Sequence, residues 1–359
     1  MLRAATMALA LAISAGCSDG QVPTRRNVAQ LSVRLVRTVH VANVELVGLS
    51  YVPATGKLLV GGLGAAALLQ MGRRPKIIWR AGGIISQSVA TCNGSAAAAA
   101  APMVKGVKGM CICLLDPKSG RRLKILPQRG SSTFLLCSPT ASKFVVVTGY
   151  SAGNRTRDSM LRVYATASGR MLDAYKIRRG VCRSLSLSRS GRDCLLSVAA
   201  VPYQAHSHRD FIQVVGWRDG HFSRPIPWRG DISDAAFLGS SKRIAVAGSW
   251  RRKGRLTVLN AATGRTLHTA AHADPRRLYT IFVNRPERLI GTLGLGGRLK
   301  IWNFRLDLLA KSSALGPKRR VWDAAFSRGG RYIYGVCSDG AVRVWRLPQA
   351  LSRKKKAVR

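Results

Sequence analysis

Three short segments constrain the fold more than anything else in this chain. Gly254-Arg255-Leu256-Thr257-Val258-Leu259, Gly297-Arg298-Leu299-Lys300-Ile301-Trp302 and Gly340-Ala341-Val342-Arg343-Val344-Trp345 each place a glycine before a β-rich run, and they recur every 43 residues. A fixed period of this length marks a unit that cannot bury its faces alone and must pack against its own copies. The cleanest copy, 321–345, reads as three hairpin-connected antiparallel strands: 321–326, then 332–336 after a Ser-Arg-Gly-Gly break, then 342–345 after the turn Ser338-Asp339-Gly340. Gly340 suits that turn because glycine accepts the positive φ that the twist of the flanking strands demands.

Earlier copies lose the turn glycine and keep a second landmark after the strand, in Ser119-Gly120-Arg121, Ser168-Gly169-Arg170, Asp219-Gly220-His221 and Thr263-Gly264-Arg265. With 66–69 added, the third-strand anchors fall at Ala66, Ile112, Leu161, Ile212, Leu256, Leu299 and Val342, at spacings of 46, 49, 51, 44, 43 and 43. Seven anchors in shared register predict an all-β chain of seven similar sheets.

The ending Asp339, Gly340-x-Val342-Arg343-Val344, Trp345 resembles a blade of the WD40-repeat family. The resemblance is good over the last three copies and rests on strand pattern over the first four. It implies a seven-bladed β-propeller. In that family an Asp at this turn joins a Ser or Thr, a His and the Trp in a hydrogen-bonded tetrad. Ser338, Asp339 and Trp345 match those positions, and the sixth copy carries Gly296 where the Asp belongs, so the chain is similar to a divergent member. The last copy has only three strands, and 33–41 reads as a strand ahead of the first copy. That strand is therefore expected to complete blade seven and close the ring, since an open propeller exposes unpaired edges.

The domain division that follows is a lead-in at 1–26, a propeller at 27–350 and a basic tail at 351–359. The opening MLRAATMALALAISAGC resembles a short secretory signal or lipoprotein leader, with a mitochondrial presequence or a plain Ala-rich lead-in as the alternatives. No apolar run is long enough to span a membrane. The alanines and the Gly/Lys stretch of 95–109 read as a loop insertion in the second copy, and 199–210 as another in the fourth. His206 and His208 in the latter read as solvated and not as metal ligands. The cysteines, at 17, 92, 111, 113, 137, 182, 194 and 337, include no CxxC pair, and most fall in expected strands as small hydrophobes. That usage suits a reducing compartment, nucleus or mitochondrion, better than secretion.

Charge is the second strong signal. The chain has 59 Lys and Arg against 15 Asp and Glu, a net +44, with 43 Arg to 16 Lys. A domain this basic repels itself, and a polyanion is the expected neutralising partner, nucleic acid being the commonest. Arginine suits the task because its planar fork bonds phosphate bidentately. Biased genomic composition is the competing account, since only two Glu are present.

In a propeller the links between blades share a face with the turns between second and third strands. On that face the expected nucleic-acid or partner contacts are Arg155, Arg157, Arg178, Arg179, Arg229, Arg251, Arg252, Lys253, Arg276, Arg277, Lys318, Arg319 and Arg320. Trp228 and Trp250, beside Arg229 and Arg251, are expected to be exposed rings able to stack on a base. The opposite face is nearly as basic, so the charge is no single stripe and suits a component embedded in RNA.

Catalytic motifs are absent: there is no Gly-x-Ser-x-Gly, and Gly294-Leu295-Gly296-Gly297 precedes a strand and not a helix. No cofactor and no metal is expected. These features together point to a non-enzymatic, RNA-contacting scaffold within a ribonucleoprotein complex, with further protein partners. The alternatives are a protein-only adaptor for peptides or acidic partners, and a secreted or lipid-anchored propeller if 1–17 is a signal.

Overall fold

Strand after strand carries apolar residues on alternate or successive positions, and the fold follows from how these runs pair. The computed structural model describes residues 31–352, apart from 53–54, 73, 86–87, 93–95, 102, 105–109, 129–131, 139–141, 150–157, 179, 201–209, 218–219, 241, 296 and 316–319. Described residues are nearly all β.

After β1 (Leu31–His40), the first sheet holds β2 (Leu46–Val52), β3 (Lys57–Gln70) and β4 (Lys76–Ile85). β3 doubles back on itself at Gly64 (φ 113°), since Met71 N donates to Gly56 O at 2.8 Å across its two ends. A straight strand of that length would hold those ends roughly 45 Å apart. Its arms, 57–62 and 63–70, pair with β2 and β4 respectively, which makes four strands.

The second sheet is β5 (Ser88–Cys92), β6 (Ala96–Ala101), β8 (Cys111–Leu115) and β9 (Arg122–Pro127), while the short β7 (Met103–Val104) pairs back to β4. The third is β10 (Ser132–Cys137), β11 (Lys143–Gly149), β12 (Ser159–Ala165) and β13 (Met171–Ile177). β14 (Gly180–Leu187), β15 (Asp193–Ala200), β16 (Phe211–Gly216) and β17 (His221–Phe222) form the fourth, with β18 (Ile226–Pro227) also on β16.

The fifth sheet is β19 (Asp231–Leu238), β20 (Arg243–Trp250), β21 (Lys253–Asn260) and β22 (Thr266–Asp274). The sixth is β23 (Leu278–Asn284), β24 (Leu289–Gly294), β25 (Leu299–Asn303) and β26 (Leu308–Ser312). β27 (Val321–Phe326), β28 (Tyr332–Cys337) and β29 (Ala341–Arg346) follow, and the short helix α1 (Gln349–Ser352) ends the described chain.

β1 completes this last sheet, as the strand count predicts: Arg34 to His40 pair antiparallel with β29. It does more than expected, because Leu31, Ser32 and Val33 pair parallel with Ala310, Lys311 and Ser312 of β26. One strand thereby joins two sheets.

The first strands touch in cyclic order, β2 to β5, β10, β14, β19, β23, β27 and back to β2. The hydrophobic core follows the same order. Leu195, Ile212 and Trp228 of the fourth sheet meet Phe237 and Ile244 of the fifth, and Tyr334, Val336 and Val342 of the last meet Leu46, Leu58 and Val60 of the first. Each sheet buries its faces only against neighbours, as the repeat demands. All seven anchor residues, Ala66 to Val342, are buried, none more than 1% exposed. The landmark glycines have a double reason. Gly120 (φ 73°) and Gly220 (φ 68°) turn the chain with positive φ and lie flat on the preceding sheet, where a Cβ would fall 2.5 Å from the Trp79 ring and 2.6 Å from Tyr175.

Two expectations need correction. The alanine run is a paired strand, β6, between β5 and β8, and not part of a loop. Alanine has weak β-propensity, but pairing on both sides and burial of Ala98 and Ala99 decide the conformation. The cysteines are not all free: Cys92 and Cys137 form a disulfide that ties the ends of β5 and β10, while Cys111, Cys113, Cys182, Cys194 and Cys337 are buried thiols. The lead-in 1–26, the tail from 353 onward, and His206 and His208 lie outside the described residues.

Candidate functional site

Five of the seven first strands share a local irregularity. In β2, β14, β19, β23 and β27 the pairing with the second strand skips one residue, respectively Val47, Arg183, Ser233, Tyr279 and Trp322. Such a bulge bends and twists the strand and re-aims the side chains on either side. Residues of all seven first strands line one cavity of about 790 Å³, among them these five, Asp234, Asp323, Arg285 and Arg328.

Short polar side chains fasten six of the seven first strands to the next. Asp234 Oδ2 accepts Ile281 N at 2.7 Å and Asp323 Oδ2 accepts Leu49 N at 3.2 Å. Ser184 Oγ accepts Ala235 N at 3.0 Å, Ser50 Oγ accepts Thr91 N at 3.1 Å, and Ser88 Oγ accepts Leu135 N at 3.2 Å. Thr280 Oγ1 donates to Trp322 O at 3.2 Å. Each carboxylate also accepts the N–H of its own successor, Ala235 or Ala324.

Burial pushes Asp234 up to about 6 and Asp323 up to about 7 against the pull of those N–H bonds, and Asp234 raises Asp323 further. Each of their oxygens accepts one backbone N–H, which ties both carboxylates to the strand framework. Neither was singled out from the sequence, although the signal was there: Asp-Ala-Ala-Phe occurs at both 234–237 and 323–326.

The described residues among the expected basic contacts lie at the end of the sheets where first and third strands begin. In the fifth sheet the register runs Asp231, Ser249, Gly254, Asp274 straight across four strands. Just beyond that row lie Arg229, Trp250, Arg251, Arg252, Lys253 and Arg276, all exposed. Arg178 and Arg320 are exposed at the corresponding ends of the fourth and seventh sheets, and Arg320 sits 5.8 Å above the Trp322 ring. Trp322 Nε1 donates to Glu45 Oε1.

Two expected contacts are spent inside the fold. Trp228 is 4% exposed and packs with Leu195, Ile212 and Phe237, with the Arg255 guanidinium 5.2 Å from its ring, so it offers no surface to a base. Arg277 is half-buried, donating from Nε to Ser233 Oγ at 2.7 Å and from Nη2 to Ile232 O at 3.2 Å, which clamps β23 to the bulge of β19. Arg155, Arg157, Arg179, Lys318 and Arg319 lie outside the described residues.

The fifth-sheet turn also differs from expectation. Gly254 is not in it: Trp250 pairs with Lys253, and the two-residue loop is Arg251-Arg252, at φ 49° and 66°. Loops of this kind favour Asn-Gly, and a non-glycine residue held there costs about 1–2 kcal/mol. Gly254 is required instead by the close approach of Arg276 O, 2.5 Å from where a Cβ would stand.

In the last sheet, Arg343 Nη1 donates to Asp339 Oδ1 at 2.9 Å and holds that carboxyl below its usual range. Ser338 Oγ accepts Arg320 N at 3.0 Å, and Trp345 is buried against Gly335. The three side chains therefore have separate structural partners.

No group of three or more His, Cys, Asp and Glu among the described residues could hold a metal ion. No described helix is long and apolar enough to cross a membrane. No protein-family model and no curated protein matches the chain.

Proposed function

We propose that this chain is a divergent seven-bladed WD40-like β-propeller, closed by β1, that acts as a non-enzymatic, RNA-contacting scaffold in a ribonucleoprotein complex. Support for the propeller comes from the cyclic contacts of the first strands, the core clusters between successive sheets and the single cavity that the first strands line. Support for the scaffold comes from the cavity's two aspartates, whose oxygens serve the backbone.

The observation that carries the RNA assignment is the unbalanced charge. With 59 basic and 15 acidic residues, 44 cations have no acidic counterpart in the chain, and Arg178, Arg229, Arg251, Arg252, Arg276 and Arg320 are exposed at the sheet ends. Surface cations in such excess bind best to a polyanion that releases its own counterions on contact.

The test is affinity of the purified chain for a structured RNA and for an acidic peptide across a salt series. Tight RNA binding whose log K falls steeply with log salt, with the peptide much weaker, is the expected result. Weak, salt-insensitive RNA binding would overturn the assignment in favour of a protein-only adaptor.

A further inference from the structure

Resting on that RNA assignment, we infer that the hairpin tip between β20 and β21 reads unpaired nucleotides, with Trp250 stacking on a base and Arg251, Arg252 and Arg229 holding the flanking phosphates.

Trp250 is 43% exposed, the one Phe, Tyr or Trp side chain so open among the described residues, whereas Trp79, Trp217, Trp228, Trp302 and Trp345 are buried. The ring is propped. Gly230 packs against it so closely that a Cβ there would lie 3.2 Å from Trp250 Cε3 and 2.3 Å from Ser249 O. That contact sets the Arg229 link beside the ring, so the indole and the Arg229 segment are side by side in the free chain.

The next two residues hold Arg side chains at positive φ where Asn-Gly would close the same loop without strain. Backbone strain of this kind persists at sites that use it. Its product here is two guanidinium groups on the two residues directly after an exposed indole. The nearby carboxylate of Asp231 accepts the Ser249 hydroxyl at 3.1 Å.

An aromatic face flanked by arginines matches a nucleotide whose base is out of its helix, because only then is a π-face open and a phosphate near each side of it. A continuous A-form duplex offers the phosphates alone, and those the whole basic surface can bind.

The experiment compares the full chain with its Trp250→Ala and Trp250→Phe variants. The probes are an oligouridylate of about 12 nucleotides, an RNA duplex of the same length and an oligoglutamate, at one salt concentration and then across a series. Expected for Trp250→Ala is a loss of oligouridylate affinity of about 10-fold, with the salt slope kept and duplex affinity within about 2-fold of the parent, and recovery of most of the loss in Trp250→Phe. Thermal melting of each variant establishes that the fold is retained, and the Phe variant keeps an aromatic ring in place should Ala disturb it.

An unchanged oligouridylate affinity in Trp250→Ala would overturn the inference while leaving the RNA assignment standing. So would an equal loss for the duplex, or a loss confined to oligoglutamate. If the parent binds neither RNA with steep salt dependence, the RNA assignment itself falls, and this inference with it.

Discussion

The fifth and seventh sheets carry the same inner tetrapeptide, Asp-Ala-Ala-Phe, but are assembled differently. The fifth is one continuous stretch from β19 to β22, whereas the seventh is β27 to β29 plus β1 from the other end of the chain. Even so, both skip one residue, Ser233 or Trp322, then present the aspartate to its own successor's N–H and to the first strand of the next sheet, at Ile281 or Leu49. The inner fastening is therefore a local property of a few residues. It does not depend on where the outer strand comes from. The outer strand, lacking a covalent link to β29, is held by its hydrogen bonds to β29 and β26 and by the burial of Val33 among Ile301, Ala310 and Trp345.

The strongest way to break the comparison is to delete residues 31–40. The seventh sheet then loses its outer strand and its tie to the sixth, and the expected outcome is aggregated protein without a cooperative thermal transition, read by size-exclusion chromatography and circular dichroism. A soluble variant with a sharp transition would show that the inner fastenings alone suffice.

Next in size are Asp234→Ala and Asp323→Ala. Each leaves two backbone N–H groups without their acceptor, at about 2–4 kcal/mol by urea denaturation. A local fastening predicts losses equal to within about 1 kcal/mol. A much larger loss at 323 would tie that aspartate to the borrowed strand.

A pH series sharpens the same pair. Burial raises Asp323 to about 7 and Asp234 to about 6, so above the pKa of an unfolded aspartate, about 3.9, the folded chain holds protons that the unfolded chain has released. This stabilising contribution is complete below that value and is lost as pH rises through 6 to 7. Both carboxylates line the solvent-accessible cavity, which tempers the effect. Stability should fall by about 1–2 kcal/mol between pH 5.5 and 8, less in Asp323→Asn, as measured by urea midpoints at the two pH values.

The smallest effect contrasts the two hairpin tips. Gly340 takes φ 72° without penalty in the seventh sheet, whereas Arg251 and Arg252 take positive φ under strain in the fifth. Replacing Arg251-Arg252 by Asn-Gly should raise stability by about 1 kcal/mol, seen as a higher Tm, and lower oligouridylate affinity in the same protein.

The repeat was legible because its signals are local. An anchor such as Leu256 declares itself by alternation, and Gly120 or Gly220 by a turn that only glycine fits. What was not legible depends on partners distant in sequence. Trp228 sits next to Arg229 and reads as a loop residue, yet the two-residue strand β18 turns it into the core. Cys92 and Cys137 are 45 residues apart, with no spacing motif to pair them. The alanine run forms a strand because β5 and β8 flank it, which no propensity scale foresees. Arg277 looks like every other arginine of the basic face until Ser233 and Ile232 are placed within its reach.

The double pairing of β1 bears on how the molecule is made. Arg34 pairs with Arg346, a residue 312 positions later. At roughly 5–20 residues per second the ribosome needs on the order of 15–60 s to supply that partner, during which the other strands can already meet neighbours made just before or after them. The first described strand to be synthesised is thus the last to find its place. Until then Val33, which the folded core buries, and the unpaired edge of the strand must be kept from other nascent chains. A ten-residue segment is thus the part of the described chain that waits longest for its partner during translation.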